Sequence, residues 1–272
     1  MSTSLEPSLK KDPEECPPTG SYPTAGEFYD ALGGWAVALY ATSTLVVAVL
    51  LVEFIVLVFH FMKYVPGSRR VATLWVNSVY LVVSIATLFC VALPQATDFV
   101  WLFYKVYLGM AMGYFVDLTM AWYGGESEML RMVGEGRLVN MRVRPCCLCC
   151  VCSKAAPFSK KKIQILRGAV YQMPYIMSVT IFLLVVFELT NYLEIGDLDP
   201  AKPYLYLSVV LLLSFFTGLW ALFVFFDITK RFDMLHDYKY SQKSGLLKAI
   251  VILVNIQVSL LFSTVFINTV QP

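Results

Sequence analysis

Five of the seven cysteines in this 272-residue chain, Cys146, Cys147, Cys149, Cys150 and Cys152, fall in one short window. Thiols this dense could hold a metal, carry thioester-linked acyl chains, or stay unmodified. A folded zinc site wants a second cysteine pair at a distance, or histidines. Pairs such as Cys147 with Cys150 can be drawn, but the two histidines, His60 and His236, lie in other segments. Arg142 and Arg144 precede the cluster and Lys160, Lys161 and Lys162 follow it. A basic setting of that kind suits S-palmitoylation if the segment adjoins a membrane. Each buried CH₂ adds ~0.8 kcal/mol, so two or more chains would pin the segment to the lipid. Acylation is the expectation, with metal binding and free thiols as the alternatives.

A second set of residues is conspicuous by its surroundings. Glu53 and Asp117 stand inside long apolar runs, and the composition says what those runs are. The chain is 58% hydrophobic and 15% charged, against roughly 45–50% and 25% in soluble domains. Its net charge of +2 excludes a nucleic-acid partner recruited by bulk basicity. Crossing a ~30 Å hydrocarbon core takes about 20 apolar residues. Runs of that length occur near 33–61, 71–93, 99–122, 168–189, 204–226 and 246–269. In lipid each backbone amide must be satisfied within its own segment, so the runs are predicted as helices. The expected fold is an all-α polytopic membrane bundle with six transmembrane helices in this chain.

Charge sets the expected orientation. Basic residues cluster between the first and second runs (Lys63, Arg69, Arg70), between the third and fourth (Arg131 to Arg167), and around the start of the sixth (Lys230 to Lys248). Basic flanks stay cytoplasmic. The N-terminal tail carries Glu6, Asp12, Glu14, Glu15, Glu27 and Asp30, and is expected outside. It has no basic region followed by a short apolar stretch, so no cleaved signal is expected. The predicted organisation is an extracellular acidic tail (1–32), helices one to three (33–122), a cytoplasmic Cys-rich basic loop (123–167) and helices four to six (168–272). Within that loop Gly124 and Gly125 signal a helix stop. Glu126 to Val133 then reads as a short helix on the membrane surface, its apolar face made by Met129, Leu130 and Val133.

An ionisable group at the bilayer centre costs ~2.5–3.5 kcal/mol on insertion scales, so each one asks for a reason. Thr42, Glu53 and His60 share a helical face. Gly109, Gly113 and Asp117 continue one stripe at four-residue spacing, which lets a neighbouring helix approach and predicts that Asp117 points into the bundle. Asn255, Ser259 and Ser263 make a milder stripe in the sixth run, and Pro174 near Tyr171 predicts a kink or loosened turn in the fourth. Two readings follow. Glu53, Asp117, Asn255, Ser259 and Thr42 line a polar substrate pathway, or they hold helices together by hydrogen bonds. Catalysis is not expected: there is no H-E-x-x-H and no histidine cluster. No nucleotide-binding loop, cofactor motif or metal site is found either.

Three stretches carry a family resemblance. Y-G-G-E-S-E-M-L-R at 123–131, R-P-C-C-L-C-C-V-C at 144–152 and K-K-K-I-Q-I-L-R-G at 160–168 resemble the alpha subunit of the organic solute transporter. Glu53, followed by Arg69-Arg70 before T-L-W at 73–75, is similar to that family's first inner loop. The likeness runs from about Ala31 to the end of the chain. It implies a multi-pass plasma-membrane protein that moves amphipathic organic anions, such as bile acids and conjugated steroids, down their gradient. It also implies a single-span beta subunit as partner and a seventh span, whereas six are read here. The alternative function is a seven-span-like receptor or accessory signalling membrane protein, since a basic inner loop also suits docking of a cytosolic partner.

Overall fold

A computed structural model describes residues 25–141, 155–189 and 203–231, with a few isolated positions between 242 and 249. Its elements, in chain order, are α1 (Ala25–Leu32), α2 (Gly34–Tyr64), α3 (Gly67–Ala92), α4 (Thr97–Tyr123) and α5 (Glu126–Val133). They are followed by β1 (Leu138–Val139), β2 (Ala156–Pro157), α6 (Lys160–Leu189) and α7 (Pro203–Arg231). Four of these, α2, α3, α6 and α7, are long and apolar enough to cross a membrane. Helix α4 has spanning length too, and carries Lys105 and Asp117 within it. The sixth predicted run lies outside the described residues.

Polarity inside the long helices is mostly hidden in their own backbones. The hydroxyls of Thr42, Thr44, Thr87, Thr119, Thr217 and Thr229 each donate to the carbonyl four residues earlier, a bond that spares lipid or core an unsatisfied O–H. Helix ends are closed locally. Arg70 donates through Nη2 to Met62 O and Val65 O, capping the orphan carbonyls of α2. Gly124 ends α4 with φ 91°, and the Gly125 amide reaches back to Met120 O at 2.9 Å. That six-to-one bond needs the left-handed turn which glycine adopts without strain.

Packing runs in sequence, α2 on α3, α3 on α4, α4 on α6 and α6 on α7, with α7 also reaching α4. Helix α4 is the axis: Ala111, Met112, Val116 and Thr119 are fully buried. By contrast α2 is the edge, with Ala36 its one buried residue. The core continues below α4 at the basic end. Met129 and Val133 of α5, Val139, Met141 and Phe158 pack with Phe225, Phe226 and Ile228 of α7.

Two boundaries and one orientation differ from expectation. The short helix spans Glu126–Val133 as predicted, but its apolar face is buried beneath the bundle. The protein's own α4 and α6 pack against it, where a bare membrane surface had been expected. Helix α6 begins at Lys160, not near Gly168, and α7 runs on to Arg231. In both cases helical backbone continues past the apolar segment, because Lys, Arg and Gln are good helix formers and do not end a helix on leaving lipid. Helix α6 is also unbroken across Pro174.

Candidate functional site

The stripe on α4 and one face of α6 meet residue for residue. Arg167, Tyr171 and Pro174 fall at i, i+4 and i+7 on α6, the spacing of a single helical face. Gly109 faces Pro174, where an added Cβ would lie 3.4 Å from the ring. Gly113 faces Tyr171, and a Cβ there would come within 2.8 Å of Cε1, so the phenol occupies the space glycine leaves. Asp117 then meets Arg167 and the tip of Tyr171. Close approach at the glycines thus delivers the carboxylate to its partners.

That contact is a three-way polar junction. Arg167 donates through Nη2 to Asp117 Oδ2 at 3.1 Å, and its Nε lies 2.8 Å from Oδ1, an ion-pair contact that lacks hydrogen-bond geometry. The Tyr171 hydroxyl donates to Oδ2 at 2.6 Å, and the guanidinium carbon lies 5.7 Å from the centre of that ring. The Asp117 side chain is 25% exposed and that of Arg167 46%. Each charge offsets part of the other's desolvation, which neither would escape alone.

An aromatic group adjoins the junction. Trp75 of α3 stacks on Tyr107 and on Tyr114 of α4, with centroids 4.7 Å and 5.2 Å away. Ser78 hydrogen-bonds the Tyr107 hydroxyl and ties the same two helices.

The other predicted residues are placed differently. Glu53 and Thr42 lie on exposed positions of α2, and the Thr42 hydroxyl is spent on Ala38 O and Leu39 O. His60, on the same face, is exposed and packs its ring on Tyr64 at 4.4 Å. Glu53 was expected to turn toward a neighbouring segment; among the described residues no helix covers it. The reason is topological: α2 packs on α3, and α3 stands between it and α4, so Glu53 and Asp117 do not share a groove. Asn255, Ser259 and the five clustered cysteines lie outside the described residues. Strands β1 and β2 pair antiparallel and close the base of the cysteine segment, and Trp220 Nε1 donates to Met141 O at 3.0 Å beside it. No group of metal-ligating side chains occurs among the described residues. Arg167 is the residue sequence reasoning missed, counted as loop charge because the helix start was placed too late.

The profile of the family described as "Organic solute transporter Ostalpha" matches residues 37–272. The chain belongs to that family. The match takes in every long helix, the α4–α6 junction and the cysteine segment. Among curated relatives, the organic solute transporter subunit alpha of Leucoraja erinaceus is 24% identical over 71% of this chain and 54% of its own length. That of Danio rerio is 24% identical over 82% of the chain and 68% of its own length. The organic solute transporter alpha-like protein 3 of Caenorhabditis elegans is 25% identical, over 70% of the chain and 57% of its own length. This chain therefore spans about half to two thirds of the Ostalpha relatives it resembles. No solved structure matches it significantly.

Proposed function

We propose that the chain is the alpha subunit of a plasma-membrane carrier that moves amphipathic organic anions, bile acids and conjugated steroids among them, down their gradient. The observation that carries this reading is membership of the Ostalpha family across 37–272. The α4–α6 junction supports it physically. Asp117, Arg167 and Tyr171 set a charged N–H donor and its counter-charge between two long helices, a polar set suited to an anion's route through the bundle. The sequence holds no phosphate-binding loop, so movement follows the gradient and not ATP hydrolysis. We place the basic end in the cytoplasm and the N-terminus outside, from the positive flanks. A single-span beta subunit completes the carrier. Acyl chains on the cysteine cluster hold the 142–154 segment at the inner leaflet.

Proteoliposomes containing the chain, with and without the beta subunit, test the reading with a labelled sulfated steroid. Saturable uptake that ATP does not alter is expected when both subunits are present. Ligand-dependent recruitment of a cytosolic protein without solute flux would favour a receptor instead.

A further inference from the structure

We propose that the face of α4 between Trp75 and Tyr171 is the binding surface for the anion, the rings receiving its flat apolar body and Arg167 its acid group. The inference deepens the carrier reading and rests on it for the class of ligand. Tyr107, Tyr114 and Asp117 lie seven and three residues apart, on one face of α4. Trp75 lies nearly parallel to both tyrosines, at 28° and 23°, so the three rings form one stacked group between α3 and α4. Tyr171 is seated on Gly113, the neighbour of Tyr114, and links the stack to Asp117. All four rings are partly exposed among the described residues. A fused-ring body packs against the outward side of such a stack and loses little conformational freedom on binding, unlike a flexible chain.

The charged end is set by how the guanidinium is used. Its Nε and Nη2 face Asp117, with the hydrogen bond made by Nη2, whereas no hydrogen bond is made by Nη1 among the described residues, and the arginine is the more exposed member of the pair. The open edge of a neutral pair is therefore a charged N–H donor, suited to one sulfate or carboxylate oxygen. Asp117 also repels the incoming anion. It holds affinity down, as a carrier that must release its cargo requires.

Two variants separate this role from simple helix pairing. The full chain with its beta subunit is placed in nanodiscs of zwitterionic lipid, so that anionic headgroups do not compete. Equilibrium binding is measured for a sulfated steroid, its unsulfated parent and an alkyl sulfate of similar length. R167Q should weaken the sulfated steroid at least tenfold and leave the parent steroid unchanged. D117N, which frees the guanidinium, should tighten the sulfated steroid several-fold, an effect that a purely structural ion pair would not give. W75L should weaken both steroids and spare the alkyl sulfate. Should R167Q not fold, R167K with D117N reads the same electrostatics. Unchanged binding in R167Q, or equal weakening in R167Q and D117N, overturns the assignment. Saturable flux that ignores all three variants would leave the carrier reading intact with its site elsewhere. Binding that follows Arg167 without any flux would keep the site and sink the carrier.

Discussion

At Gly109 and Gly113 the same residue type does two different jobs. A methyl added at Gly109 would make an ordinary van der Waals contact with Pro174, whereas at Gly113 it would enter the Tyr171 ring. Gly109→Ala should be neutral or gain up to about 1 kcal/mol from helix propensity. Gly113→Ala should cost about 1–3 kcal/mol by overpacking. Thermal unfolding in detergent checks the contrast, and equal Tm values for the two variants would contradict the packing described. The Asp117–Arg167 pair is neither fully exposed nor fully buried. Its coupling in a double-mutant cycle should fall between the ~0–1 kcal/mol of surface pairs and the 3–5 kcal/mol of buried ones, on the order of 1–2 kcal/mol. Additive single substitutions would show that the contact does not hold α4 to α6. On Asp117 the sequence was legible, because the four-residue stripe requires a close neighbour. Its partner was not: Arg167 carries the same charge as the loop before it, and average hydropathy does not mark it as helical.

Elements explain that miss. Ile163, Leu166, Val170 and Met173 are all buried, so the apolar period of α6 runs straight through the predicted loop–helix boundary. Hydropathy averaged over a span hides this, since Lys160, Lys161 and Lys162 dilute the signal; the three- and four-residue spacing carries it. The short helix α5 was found to the residue, because paired glycines end α4 and acids open the next turn. Its burial was not foreseen, since an apolar face alone does not say whether protein or lipid covers it. The ribbon of β1 and β2 is too short to be read from alternation, and it depends on tertiary contacts such as Trp220 to Met141 O. Replacing Trp220 with Phe keeps the ring and removes that donor. About 1 kcal/mol of local stability should be lost, seen as faster hydrogen exchange in the ribbon. Unchanged protection there would mean that the bond does not anchor the ribbon.

For the whole molecule, the bundle has a buried axis and a bare edge. Helix α2 exposes Leu45, Val52, Val56 and Phe59, each more than 60% accessible, a surface fit for hydrocarbon or for another apolar helix. At the basic end the protein is thicker, with α5 and the ribbon folded under α4 and α7 and the cysteine segment issuing from that layer. Acylation of Cys146, Cys147, Cys149, Cys150 and Cys152 would fasten this layer to the inner leaflet. Hydroxylamine-sensitive acyl labelling of the wild type should disappear when all five are changed to Ser, and equal labelling in both proteins would remove the acylation proposal. The central claim is that the bundle lets amphipathic anions equilibrate across the membrane without an energy source, and trans-stimulated exchange measures this most directly. In proteoliposomes holding both subunits, unlabelled sulfated steroid inside should accelerate entry of labelled sulfated steroid several-fold, with ATP making no difference. Entry no faster than into protein-free liposomes, whatever the internal load, would contradict the account.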